Sequence, residues 1–239
     1  MAGVALLLAA CGGEDVDGVY VSLGDSIGAG WSASDPAEHG FAALVAREQG
    51  AELRNLADAG ATTEDVIAHQ LPDAVALVEA GVVAFITVSA GGNDMAGLIP
   101  NQACVEDPLP AACPLEDTLA GIEERLLRIV DDIRDIDGDA PIVLVAYPNF
   151  FSGTGHPWEA PAARVLPRFA EVLRRVAATY GNVVVAAPSF EGRGGELTGV
   201  LAEPFDPHPN DAGHRVIAEA VVAALKLKGE QGSHAPGAR

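Results

Sequence analysis

The chain has 239 residues, of which 49% are apolar, and its 34 acidic against 14 basic residues give a formal charge of −20. That length suits one substantial α/β domain and is short for two, while the apolar share is ample for a core. Such acidity argues against nucleic acid as a partner, because phosphates demand Lys and Arg, and against attachment to anionic membranes by charge.

Residues 4–10, Val-Ala-Leu-Leu-Leu-Ala-Ala, form an apolar run ending at Cys11. The run is too short to span a bilayer. It resembles the end of a bacterial lipoprotein signal peptide, with Leu8-Ala9-Ala10-Cys11 matching the lipobox. Only Met1-Ala2-Gly3 precede it, without the usual positive flank. The resemblance implies lipidation of Cys11, membrane contact through that anchor alone, an extracytoplasmic location (secreted or lipid-anchored), and residues 1–17 as leader remnant and tether. In an exported chain Cys104 and Cys113, which bracket a proline-rich loop, are expected to form a disulfide. Closing so short a loop contributes roughly 2–3 kcal/mol in the chain-entropy picture. A metal site is not expected there, because no second cysteine pair or nearby histidine completes it.

The folded part, expected over residues 18–228, alternates apolar runs with amphipathic stretches. Val19-Tyr20-Val21-Ser22-Leu23 reads as a buried strand that stops at Gly24, followed by Asp25-Ser26-Ile27-Gly28. A helix is predicted over 41–48, a second strand over 52–56, and helical segments over 63–79 interrupted near Pro72. Residues 82–88, nearly all apolar, predict a third strand of the kind buried on both faces. Leu119, Ile122, Leu126, Ile129, Ile133 and Ile136 then recur at helical spacing opposite an acidic, solvated face. Strands over 142–146 and 183–187 flank a helix within 161–180, and a last helix runs from Asp211 to about Leu227. Residues 229–239 lack apolar periodicity and read as a disordered tail. Alternation of this kind implies a parallel sheet in a three-layer α/β/α sandwich.

Each strand's C-terminal end carries a polar or glycine-rich signature: Gly24-Asp25-Ser26, then 55–62 with Gly60, then Gly91-Gly92-Asn93-Asp94, and finally Phe205-Asp206-Pro207-His208-Pro209-Asn210 before the last helix. In open parallel sheets these ends meet at the ligand-binding edge. A serine hydroxyl there needs a base, and His208 is the best available. An anionic tetrahedral intermediate needs fixed donors. The Ser26 and Gly60 N–H groups and the Asn93 amide would supply them, with glycine at position 60 because a side chain would crowd the oxyanion.

On these residues the chain resembles the SGNH hydrolases, or GDSL esterases and lipases, whose four blocks supply Ser26, Gly60, Asn93 and His208 in order. The resemblance extends from Val19 to about Leu225. It implies a flavodoxin-like five-stranded α/β/α fold, a serine esterase or lipase acting through an acyl-enzyme, no cofactor and no metal, a small-molecule ester as substrate, and a monomer. One departure stands out. The family has Asp three residues before the histidine, where this chain has Phe205, and Asp206 lies two before. Asp206 is the expected third triad member, with the loss from Asp206→Asn expected to be smaller than that from His208→Ala. Asp211-Ala212-Gly213-His214 has the family's spacing but reads as the first turn of the last helix, capped by Asn210 or Asp211.

Phe150, Phe151 and Trp158, in a loop leaving the fourth strand, are candidates for a substrate pocket, with the segments 101–115, 150–161 and 190–205 shaping it. Asp25 and Asp94 are expected to fix their turns by hydrogen bonding. His39, His69, His156 and His234 are given no chemical role. Rival readings are a Gly-x-Ser-x-Gly elbow, which normally follows several strands, a metallophosphoesterase built on Asn93, Asp94, Asp206 and His208, and a non-catalytic glycan-binding lipoprotein on an esterase fold.

Overall fold

The computed structural model describes residues 18–99, 101, 104, 106, 112–136 and 139–232; Cys11 with its lipobox, and residues 233–239 of the expected tail, lie outside the described residues. Five strands, β1 (Val19–Gly24), β2 (Glu52–Asn55), β3 (Val83–Ser89), β4 (Ile142–Val145) and β5 (Val183–Ala186), form one parallel sheet in the order β2-β1-β3-β4-β5. Their ends fall within one residue of the apolar runs. The central strands are the ones covered on both faces, and β4 is buried throughout. By contrast β2, at an edge, turns Glu52, Arg54 and Asn55 to solvent, which discourages further pairing there.

From β1, inside the sheet, the chain adds β2 on one side, then crosses back past β1 to add β3. The strand order therefore reverses between β1 and β3, and the crevice beyond their C-terminal ends is where ligands settle in such sheets. Short helices occupy those ends: α1 (Ser26–Ala29) and α2 (Pro36–His39) after β1, then α3 (Phe41–Gln49); α4 (Thr63–Asp65) and α5 (Leu71–Glu79) after β2; α6 (Gly92–Met95) after β3. The long helices α7 (Leu115–Arg134) and α8 (Glu159–Thr179) pack on each other and, with α5, cover one face of the sheet. On the other face α3 packs against the last helix, Asp211–Gly232. Leu119, Ile122, Leu126, Ile129 and Ile133 of α7 are buried as their spacing predicts.

Two stretches differ from the sequence reading, and a third takes a form it did not specify. The interruption expected near Pro72 is a π-helical turn, Val66–Gln70, between α4 and α5, and Pro72 sits in the first turn of α5, where a missing N–H is harmless. The stretch 190–210 is more ordered than a loop. It holds α9 (Gly194–Leu197) and an antiparallel pair, β6 (Thr198–Gly199) with β7 (Asp206–Pro209). Two prolines in β7 remove ladder donors, so the sequence reads as irregular although the backbone is extended. The last helix, α10 (Asp211–Gly232), passes its expected end at Leu227. Cys104 and Cys113 are joined as a disulfide with Cα atoms 4.9 Å apart. No helix among the described residues is long and apolar enough to cross a membrane.

Candidate active site

β1 ends where it runs tightest against β3. A Cβ at Gly24, whose φ is +138°, would stand 2.2 Å from the Ser89 carbonyl oxygen, so only glycine fits. Gln70, buried at the end of the π-helical turn, clasps that residue twice: Gly24 N–H donates to its Oε1 and its Nε2 donates to the Gly24 carbonyl, both at 2.8 Å. Asp25 caps α1 by accepting from Ile27 N–H at 2.9 Å, and the Tyr147 hydroxyl donates to its other oxygen at 2.6 Å. Burial pushes the Asp25 carboxyl up to about 6, against the pull of these two donors. The aspartate thus holds the turn. Ser26 is left as the first residue of α1, and its N–H meets no acceptor among the described residues.

Across the crevice, His208 Nε2 lies 3.0 Å from Ser26 Oγ, and His208 Nδ1 lies 2.6 Å from Asp206 Oδ1. The two-residue spacing works because β7 is extended. Side chains at i and i+2 of a strand share a face, so Asp206 and His208 stand side by side. The His208 N–H also donates to Asp206 Oδ1, at 3.0 Å. Burial works to raise the Asp206 pKa, but the Ser32 hydroxyl and the His208 backbone and ring N–H groups outweigh it and hold the carboxyl below its usual range. Phe205, at the family's acid position, faces elsewhere and stacks on His156 with centroids 5.5 Å apart.

The second Asp-to-His pair does different work. Asn210 caps α10 by accepting from Ala212 and Gly213, and His214, in the first turn of that helix, is fully buried. Its Nδ1 accepts from Phe41 N–H and its Nε2 donates to the Trp31 carbonyl, while burial lowers its pKa and keeps the ring neutral.

Asn93 is the second residue of α6 and lines the same cleft as Ser26 and His208. One amide hydrogen is held by the Ala61 carbonyl at 2.9 Å, leaving the second for a ligand. Asp94 braces this junction. It accepts from Thr63 N–H and Oγ1 at 2.9 and 2.6 Å and pairs with Arg125 at 3.0 Å. Gly60 is exposed, has φ +87°, and its N–H has no acceptor among the described residues. A Cβ there would meet no protein atom within 4 Å, so the protein's own demand for glycine is conformational rather than one of crowding. Gly60 lies outside the cleft lining, beside Asp58, Asp65 and His69. Its neighbours tie it to the site: Asp58 N–H bonds the Gly24 carbonyl at 3.0 Å, and Ala61 holds Asn93.

Between Ser26, His208 and Asn93 opens a cleft of about 200 Å³, walled by Ile27, Met95, Ile99, Phe150, Phe151 and Trp158 with the near turns of α8. The three aromatic residues expected at a pocket are therefore all in its wall. Segments 101–115 and 190–205 contribute no lining residue among the described ones; Phe205 instead braces Trp158, centroids 6.1 Å apart. No cluster of three His, Cys, Asp or Glu able to hold a metal ion occurs among the described residues, and Asp206 and His208 bond each other. Ser32, Gln70 and Tyr147 escaped the sequence reading; only Tyr147, just past the C-terminal end of β4, stands where position alone could have marked it.

The family model of the GDSL-like lipases and acylhydrolases matches residues 22–216. Among solved structures, a phospholipase A1 from Streptomyces albidoflavus is 20% identical with a TM-score of 0.65, over 87% of this chain and 99% of that one. An extracellular lipase from Streptomyces rimosus is 23% identical with a TM-score of 0.61, over 87% and 99%. A catalytic mutant of an acetylxylan esterase from Geobacillus stearothermophilus is 18% identical with a TM-score of 0.58, over 87% and 94%. No protein of curated function matches.

Proposed function

The chain belongs to the GDSL-like lipase/acylhydrolase family, and on that footing we propose that it hydrolyses carboxylic esters through an acyl-enzyme on Ser26. The observation that carries this reading is the unbroken chain from Ser26 Oγ through His208 to Asp206, 3.0 and 2.6 Å long, at the mouth of an apolar cleft. His208 takes the hydroxyl proton as Ser26 Oγ attacks the ester carbonyl. Asp206 fixes the ring with Nε2 toward the serine and stabilises the imidazolium. The negative charge that develops on the carbonyl oxygen is received by the N–H groups of Ser26 and Gly60 and the free Asn93 amide hydrogen. Collapse releases the alcohol, which takes its proton from His208. A water molecule, deprotonated by the same histidine, then frees the acid and restores Ser26.

The acyl group belongs in the cleft, whose wall is aliphatic and aromatic with no Lys or Arg. A charge of −20 also repels anionic substrates, so the ester is taken to be neutral. The sequence-level motive for a non-catalytic glycan binder was the displaced acid, and the bond from Asp206 to His208 removes it. The test is turnover of p-nitrophenyl esters over a range of acyl lengths, with Ser26→Ala and with a chelator present. Hydrolysis that a chelator leaves alone and Ser26→Ala abolishes is expected. Hydrolysis that survives Ser26→Ala would refute the proposal.

A further inference from the structure

The geometry points to Ser32 as a positioning residue for the proposed triad, acting through Asp206; the inference rests on the esterase reading above. Ser32 Oγ donates to Asp206 Oδ2, the oxygen that His208 does not use. The carboxylate is therefore held from both sides: Nδ1 and N–H of His208 on Oδ1, and the Ser32 hydroxyl on Oδ2. An aspartate orients its carboxylate through one pair of side-chain torsions. A fixed donor on its far oxygen sets that torsion.

The backbone is built to place this hydroxyl. Ser32 is the one non-glycine residue of positive φ, at +65°, among the described residues. Strained conformations of this kind persist only where the surroundings over-determine them, and they gather at functional sites. Here the chain is pinned on both sides. Trp31 donates to the Ser26 carbonyl at 2.9 Å and accepts from His214 Nε2 at 3.0 Å. Two residues on, Ser34 N–H and Oγ both bond the Asp211 carboxylate, each at 2.7 Å. His39 adds a contact of 2.7 Å to Ser34 Oγ. Asp211 and His214, the pair with the family's catalytic spacing, thus serve as the two staples of the loop that aims Ser32. The nucleophile's own carbonyl is one of the anchor points, so the loop ties Ser26 and Asp206 to a single frame.

Three variants separate this role from simple bracing. Ser32→Gly deletes the hydroxyl and adopts the positive φ freely, so the fold gains nothing to resist. Ser32→Asn tolerates the left-handed region and restores an N–H donor. Ser32→Asp sets a second carboxylate against Asp206. Ester hydrolysis should fall roughly tenfold in kcat for Ser32→Gly, with KM and the unfolding temperature unchanged, recover in Ser32→Asn, and fall further in Ser32→Asp. The low-field proton NMR signal of His208 Nδ1–H should move downfield in Ser32→Gly, because a carboxylate with one donor fewer accepts more strongly. That signal reads the resting protein and needs no substrate. A moved signal without any ester turnover would sustain Ser32 and sink the esterase reading. Wild-type kcat and an unmoved signal in Ser32→Gly would overturn the inference, showing that water replaces the exposed hydroxyl; so would a kcat loss matched by a fall in unfolding temperature.

Discussion

Asp25 is a buried carboxyl one residue before the proposed nucleophile, and replacing it with Asn should stabilise the protein at neutral pH. In the folded chain its pKa is raised from 3.8 to about 6, because burial outweighs the donors from Tyr147 and Ile27. A carboxyl whose folded pKa is raised contributes stability that is complete below about 3.8 and disappears as pH climbs through about 6. At about 1.4 kcal/mol per pH unit, that interval amounts to about 3 kcal/mol. Asn caps a helix as well as Asp does, so the bond to Ile27 N–H survives. The bond to Tyr147 reverses direction and trims the gain. Thermal unfolding of both proteins across about pH 4 to pH 8 checks the sign. The two curves should converge near pH 4 and separate above pH 6, with Asp25→Asn the more stable, by roughly 5–10 °C for a chain of this size. Other carboxyls shift the opposite way, Asp206 and Asp211 among them, but they cancel in the difference. A gap that does not change with pH, or a less stable Asp25→Asn at pH 8, would refute the reasoning.

Asn93→Ala should lower kcat on the order of 10²–10³-fold while leaving KM nearly unchanged, because its amide donor is engaged only as the oxyanion forms; a defect confined to KM would contradict that. Asp206→Asn should now match His208→Ala in kcat loss, on the order of 10³-fold or more, since the 2.6 Å bond and the His208 N–H both converge on one carboxylate oxygen. Retention of most activity in Asp206→Asn would show that the acid is dispensable and restore the smaller loss expected from the displaced acid alone.

The centre of the sheet was legible because β1, β3 and β4 are buried on two faces, where continuous apolar runs leave little ambiguity. Ser26, Asn93 and His208 were legible for a different reason: the first two follow the C-terminal ends of β1 and β3, the third stands just before the last helix, and all lie in stretches that glycine or proline punctuates. Asp206 carried doubt because residue counting treats the segment before His208 as a loop. Only the extended geometry of β7 puts positions 206 and 208 on one face, and the two prolines that hide this strand also hide the pairing. Gln70 was invisible because its aim depends on the π-helical turn that carries it. A one-residue widening of the helix has no compositional signature. Ser32 was hidden likewise, since its direction comes from a left-handed backbone held by contacts at Trp31 and Ser34 with elements far along the chain.

The displaced acid has a consequence for the cleft as well as for the triad. With the carboxylate moved to position 206, the side chain at 205 is free of catalytic duty, and a phenyl ring occupies it. That ring extends a stack, Phe151 on His156 at 4.9 Å and His156 on Phe205 at 5.5 Å, with Trp158 set edge-on to all three. Phe151 and Trp158 are cleft wall; Phe205 is the residue that enters β7. The wall that would hold the acyl group and the strand that presents the acid and base are therefore packed as one body. Aromatic contacts of this kind are each worth about 0.5–1.5 kcal/mol beyond their buried area, enough in sum to resist independent motion of the two. Trp158 of the cleft wall thus touches Phe205, the residue that leads into the strand carrying Asp206.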